Sequence, residues 1–291
     1  MKFILQTLAL IILLGVGVGW TVSVPQIDDG VTLAGLTPDI RRGEQVFLAS
    51  GCSSCHAKPG SDDKLTLAGG YRITSPFGTF ISPNISQHPE AGIGGWSLPD
   101  FATAVRLGVS PEGAHYFPAF PYASYNRMTD QDVTDLFGYM QSLPVDGTPS
   151  AAHEVGFPFS IRRAVGVWKA RYMTDAWVVA DAATPELERG RYLVEALGHC
   201  AECHTPRDVI GGLDRTAWMT GGPNPSGDGR IPNIHPSALG WSADEITDYL
   251  DSGFTPEFDV AGGSMKAVVE NYAQLPASDR AAVAAYLVSL P

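Results

Sequence analysis

Two five-residue segments decide what this chain can become: CSSCH at 52–56 and CAECH at 200–204. Between them they hold all four cysteines of the 291 residues. Two thiols separated by two residues match the two vinyl groups of a haem, to which they add as thioethers. The adjacent histidine is then carried beneath the ring, where its Nε2 can bind iron. A structural zinc site wants two Cys pairs about 15–20 residues apart, whereas these pairs lie about 145 residues apart. A thioredoxin-type redox pair belongs in a βαβ setting, which the sequence does not offer. Two disulfides would not require a histidine after each pair. The expectation is therefore two covalently bound haem c groups, with Cys52, Cys55, Cys200 and Cys203 as attachment points and His56 and His204 as iron ligands.

The two motifs belong to a longer repeat. TPDIRRG at 37–43 returns as TPELERG at 184–190, SPNIS at 82–86 as IPNIH at 231–235, and GWSLPDF at 95 as GWSADEI at 240. DVTDLFGYMQSLP, ending at Pro144, returns as DRAAVAAYLVSLP, ending at Pro291. The matches stay in order at offsets between 145 and 149, so one unit has been duplicated. Thr37 and Thr184 are expected as N-caps, with Pro38 and Pro185 at the first helical position. Ser97 and Ser242 are expected to cap a short helix, with Asp100 and Glu245 at its third position. Val133, Leu136, Phe137 and Met140, like Val283, Tyr286, Leu287 and Leu290, fall at i, i+3, i+4, i+7 and mark a closing amphipathic helix. Few segments alternate with period two, so the fold class is all-α. The expected organisation is an anchor over 1–25, haem units over 36–147 and 183–291, and an intervening segment over 148–182. That segment carries Phe157, Phe159 and Trp168, too apolar for a free tether, and is expected to pack across both units.

From Phe3 to Val24 there is no charge. Twenty-two helical residues rise about 33 Å, enough for a hydrocarbon core of about 30 Å. Lys2 before the segment and Asp28-Asp29 after it favour an N-in, C-out transmembrane helix. A cleaved signal peptide is the alternative, with small-x-small sites around Gly15 to Gly19. Either way the remainder faces outward. The 31 acidic against 19 basic residues argue against a nucleic-acid binder and suit both solubility and steering toward a cationic partner.

YFPAFPYASYNRM at 116–128 holds five aromatics and two prolines. It is too proline-rich for a helix interior and too apolar for an ordinary loop, but it suits the cover of a flat apolar ligand. Asn84 and Asn233, each after a proline, are candidates for propionate contacts or for fixing the loop below the ring. Both also fit plain turn roles. Trp96 and Trp241 are candidates for a haem edge or for the core, and Arg207 is a candidate propionate partner or a surface residue.

These segments, together with FPFSIRRAVGVWK and ERGRYLVEALGHCAECHTPRD, resemble the cytochrome c subunits of bacterial membrane-bound alcohol and gluconate dehydrogenases from about residue 37 onward. Those subunits usually carry three haem domains; this chain has two. The resemblance implies tandem class I cytochrome c domains on the periplasmic side of the inner membrane. It also implies electron delivery from a dehydrogenase toward quinone or a terminal oxidase. The family often has a methionine, the sixth iron ligand, where this chain has Phe120.

Met265, upstream of the last helix, is placed to be the sixth ligand of the second haem. For the first, Met128 at the end of the aromatic loop is the expected ligand, although it aligns with Leu275 and also fits a packing role. His115 is the other candidate. Filled axial positions make an electron carrier without substrate chemistry. A diheme peroxidase-type enzyme would need an open iron, and a haem subunit of a terminal oxidase complex would also pair an anchor with two haem units.

Overall fold

The computed structural model describes residues 1–224, Gly227 and 229–291. In chain order the elements are α1 (Lys2–Val22), α2 (Ile40–Ala49), α3 (Cys52–His56), β1 (Arg72–Ser75), β2 (Gly78–Ile81), α4 (Leu98–Ala102), α5 (Tyr122–Tyr125), α6 (Asp130–Met140) and α7 (Arg162–Tyr172). There follow α8 (Pro185–Tyr192), α9 (Ala201–His204), β3 (Gly222–Pro223), β4 (Arg230–Ile231), α10 (Pro236–Leu239), α11 (Ala243–Ser252), α12 (Met265–Tyr272) and α13 (Ala277–Val288). The sheet is confined to two antiparallel hairpins, β1–β2 and β3–β4.

Within each copy the helix that leads into the cysteines crosses the closing helix. A glycine makes each crossing possible. A Cβ at Gly43 of α2 would lie 2.1 Å from the Asp135 carbonyl oxygen of α6, and one at Gly190 of α8 would lie 2.0 Å from that of Ala282 in α13. The matched glycines in IRRG and LERG therefore let the helix backbones touch. The closing helices present Val133, Leu136, Met140 and Val283, Tyr286, Leu287 inward, where all six are buried.

Local capping holds at most of the expected positions. Thr184 accepts from Leu187 N–H at 3.2 Å, with Pro185 first in α8. Ser97 and Ser242 each close a reciprocal capping box, with Asp100 and Glu245. The first copy departs from the pattern: Asp39, not Thr37, caps α2, accepting from Arg42 N–H at 3.1 Å. Asp39 is the better acceptor, and the Thr37 carbonyl is used instead by Gln131 Nε2 at 3.0 Å. Pro38 accordingly lies outside the helix, its ring against Gly138 of α6.

The two copies share one continuous apolar cluster that includes Phe47, Leu136, Met140, Leu193, Leu197 and Tyr286. Tyr192, at the end of α8, accepts from Thr129 N–H at 3.1 Å and donates to Asp132 at 2.5 Å, tying the second copy to the start of α6. The intervening segment contains α7, a helix that the sequence pattern does not announce. Trp168 of α7 donates to the Ile210 carbonyl at 3.1 Å, and Lys169 donates to the Leu107 and Gly108 carbonyls at 2.5 and 2.7 Å.

α1 is the one helix among the described residues long and apolar enough to cross a membrane, with mean hydropathy 2.2 and an exposed surface. Its C-terminal end is held. Arg163 of α7 donates to the Trp20 carbonyl and to Ser23 Oγ, both at 2.8 Å, and its guanidinium lies 4.6 Å from the Trp20 ring centre. Ser23 is only 1% exposed, and it leaves no room for a side chain at Gly166.

Candidate functional site

Each cysteine motif forms a single helical turn: α3 comes directly after α2, and α9, capped by Cys200, comes after the short helical stretch Leu193–Leu197 that continues α8. All four thiols are free. Burial pushes the Cys52 thiol up to about 12, Cys55 to about 11 and Cys200 to about 12, which keeps them neutral. Among the described residues, no group of three or more His, Cys, Asp or Glu converges on a bare ion position.

The histidines are held alike in the two copies. His56 Nδ1 donates to the Pro83 carbonyl at 2.8 Å, and His204 Nδ1 to the Pro232 carbonyl at 3.0 Å. A carbonyl can only accept, so Nδ1 carries the proton and the Nε2 lone pair is free. This is the usual outer support of a metal-ligating imidazole. Burial lowers the pKa of both rings and keeps them in the neutral, ligating form. The loops that carry these prolines are tied back in register: Gly69 N–H to the His56 carbonyl and Gly221 N–H to the His204 carbonyl, both at 2.7 Å. The prolines' role escaped sequence reasoning, although the repeated Pro-Asn pair was a visible signal.

The neighbouring side chains fit a haem at both places. Tyr272 is buried and its hydroxyl has no partner. A Cβ placed on Gly198 would lie 2.3 Å from that hydroxyl and 3.4 Å from Cys200 Sγ, so a buried polar atom waits beside the second attachment point. Its counterpart, Tyr125, donates to the Ser50 carbonyl at 2.8 Å. Beside it Phe120 is ringed by Tyr116, Tyr122 and Tyr125 at centroid distances of 6.0, 6.1 and 5.9 Å, an aromatic wall in the first copy.

The other expected residues are placed as follows. Met128 is 4% exposed, within the shared apolar cluster, and Met265 is half-buried at the first position of α12. Asn84 donates to the Asp146 and Thr148 carbonyls at 2.8 and 2.9 Å and accepts from Ser86 N–H at 2.8 Å, strapping the intervening segment onto the Pro83 loop. Asn233 accepts from His235 N–H at 2.9 Å. Trp96 and Trp241 pack against the core, Trp241 with Tyr249 at 5.3 Å. Arg207 is engaged by Glu202 and by the Gly211 carbonyl. His115 has both nitrogens occupied: Nε2 donates to the Ser23 carbonyl at 2.9 Å, and Nδ1 accepts from Lys169 at 3.1 Å.

The family model described as cytochrome c matches residues 40–144. A diheme cytochrome c-type protein of Cereibacter sphaeroides is 49% identical over 286 residues, covering 98% of this chain and 96% of the relative. The fructose dehydrogenase cytochrome subunit of Gluconobacter japonicus is 39% identical over 87% of this chain, and the gluconate 2-dehydrogenase cytochrome c subunit of Pantoea cypripedii is 33% identical over 86%. Those matches cover 53% and 59% of the two dehydrogenase subunits, so the chain spans a little over half of their length.

Proposed function

Because the chain belongs to the diheme c-type cytochromes, an electron-transfer family with two covalently bound haems, we propose that it is a membrane-anchored periplasmic carrier. It takes electrons from a dehydrogenase and passes them toward quinone or a terminal oxidase. Each haem, when bound, supplies a reversible one-electron couple at its iron. The chain's own residues hold, orient and shield it. Residues 36–147 and 183–291 are class I cytochrome c domains in tandem, with 148–182 as the strap between them. Cys52 and Cys55, and Cys200 and Cys203, are the thioether pairs. His56 and His204 would supply the imidazole ligands to the two irons, and Met128 and Met265 the sulfur ligands. Trp96, Trp241, Asn84, Asn233 and Arg207 wall and brace the two haem clefts.

The observation that carries this reading is the doubled support of a neutral histidine. In both copies a proline carbonyl fixes Nδ1–H and leaves Nε2 free, one residue after a cysteine pair. The dehydrogenase partner is supported by the relatives' names. A retained anchor is supported by the clasp of Arg163 on Trp20 and Ser23. Inner-membrane attachment with the haem domains in the periplasm is supported by Lys2 before the uncharged α1.

Two measurements test the function. Acid-organic extraction should leave two haems per chain by mass, and free haem in the organic layer would refute covalent attachment. Deleting the chain should leave a periplasmic dehydrogenase that still reduces artificial dyes but no longer supports substrate-driven respiration. Unimpaired respiration on all such substrates would refute the partnership.

A further inference from the structure

The two copies differ at one backbone position that matters to both. Immediately before the first cysteine the chain turns into the left-handed region, at Gly51 with φ +62° in the first copy and at His199 with φ +40° in the second. Glycine adopts that conformation freely, whereas a side chain with a Cβ resists it. Such backbone strain gathers where function requires a particular side chain.

The His199 ring reaches into the first copy. Its Nε2 donates across the seam to the Ser50 carbonyl at 3.3 Å, two residues before Cys52. Its ring meets that of Tyr125 edge to face, at 5.6 Å and 72°. Tyr125 is buried and donates to the same Ser50 carbonyl at 2.8 Å. A second strut runs beside it, from Asn271 Nδ2 of α12 to Ser54 Oγ of α3 at 3.1 Å. The residue flanking one attachment turn is thus bonded to the residue flanking the other.

We propose that His199 is a positioning residue that locks the two haem-attachment turns to each other, so that the haems sit at one fixed separation and orientation. The proposal rests on the two-haem reading. Its physical sense is that electron exchange between two centres in one chain depends steeply on their spacing. The apolar cluster and the Tyr192 contacts join the bodies of the two copies, and the carbonyl-anchored rings carry that connection to the attachment turns themselves. The matching place in the first copy holds Gly51, which adopts the left-handed backbone freely and sends no ring across the seam.

The test uses the haem-loaded full chain with His199→Gly and His199→Gln. Glycine suits the backbone and removes the ring, while glutamine keeps an amide nitrogen at about the reach of imidazole Nε2. Two haems held rigidly should give the wild type a two-signed Soret circular dichroism couplet. In H199G its amplitude should fall at least twofold while Soret absorbance and two haems per chain by mass are unchanged, and H199Q should recover most of it. A wild type without a couplet, an H199G couplet equal to that of the wild type, or loss of the second haem from H199G would each overturn the proposal. Absence of covalent haem from the wild-type protein would instead overturn the two-haem reading.

Discussion

Methionines 128 and 140 are the only two in the first copy's haem unit, and both are buried in one apolar cluster. With phenylalanine at 120 in the aromatic loop and both His115 nitrogens engaged, Met128, the sulfur that closes that loop, is the ligand we propose for the first haem. Met128→Leu keeps the volume, so the fold should survive, with a packing cost below about 1.5 kcal/mol. The variant should lose one haem's methionine–iron absorption, lower that haem's potential and let it bind carbon monoxide, because methionine ligation raises the potential. An unchanged spectrum and potential would return Met128 to packing, as at the aligned Leu275.

The helix crossing is where stability concentrates. The Cβ of Gly190→Ala would fall 2.0 Å from the Ala282 carbonyl oxygen, and a backbone atom cannot rotate away. The crossing must open, at a cost of about 1–3 kcal/mol or more, the range for overpacking. Ser242→Ala removes an exposed capping box and should cost about 1 kcal/mol. Thermal unfolding of the haem-loaded protein would rank the two, and a G190A midpoint no lower than that of S242A would show that the crossing yields. Capping was legible in Ser97 and Ser242 because it depends on neighbours three residues apart. It failed at Thr37 because two acceptors compete there, and Asp39 is favoured once its N–H is held by Asp135 at 2.7 Å.

Across the whole molecule, the end of α1 meets α7 and the first copy at Ser23. Cleavage near residue 20–25 would remove the Trp20 and Ser23 groups that Arg163 holds and would open the His115–Ser23 contact. The protein should therefore stay in the membrane pellet after high-salt and alkaline washing, with an N-terminal sequence that starts before Trp20. A soluble product starting near residue 25 would refute the retained anchor. An acidic balance of 31 to 19 predicts that electron transfer to a cationic acceptor slows as ionic strength rises, since screening shortens to about 10 Å at 0.1 M. A rate independent of salt would remove steering from the account.

The attachment chemistry was written in the sequence because it is local: two thiols and a histidine on one helical turn need only their own spacing. The duplication, the helical class and the closing faces were legible for the same reason, since repeats and i, i+3, i+4 patterns are properties of short windows. What depended on tertiary structure was every contact made across the chain. The Pro83 and Pro232 carbonyls are 27 and 28 residues from the histidines they hold. Gly43 and Gly190 acquire meaning only where a distant helix touches them. The helix at 162–172 is stabilised by Lys169 and Trp168 reaching carbonyls in both copies, which no local pattern announces. His199 looks like any residue before a cysteine until the fold brings Ser50, 149 residues away, within hydrogen-bonding distance. Covalent capacity follows from the order of residues, whereas orientation requires groups that only folding brings together.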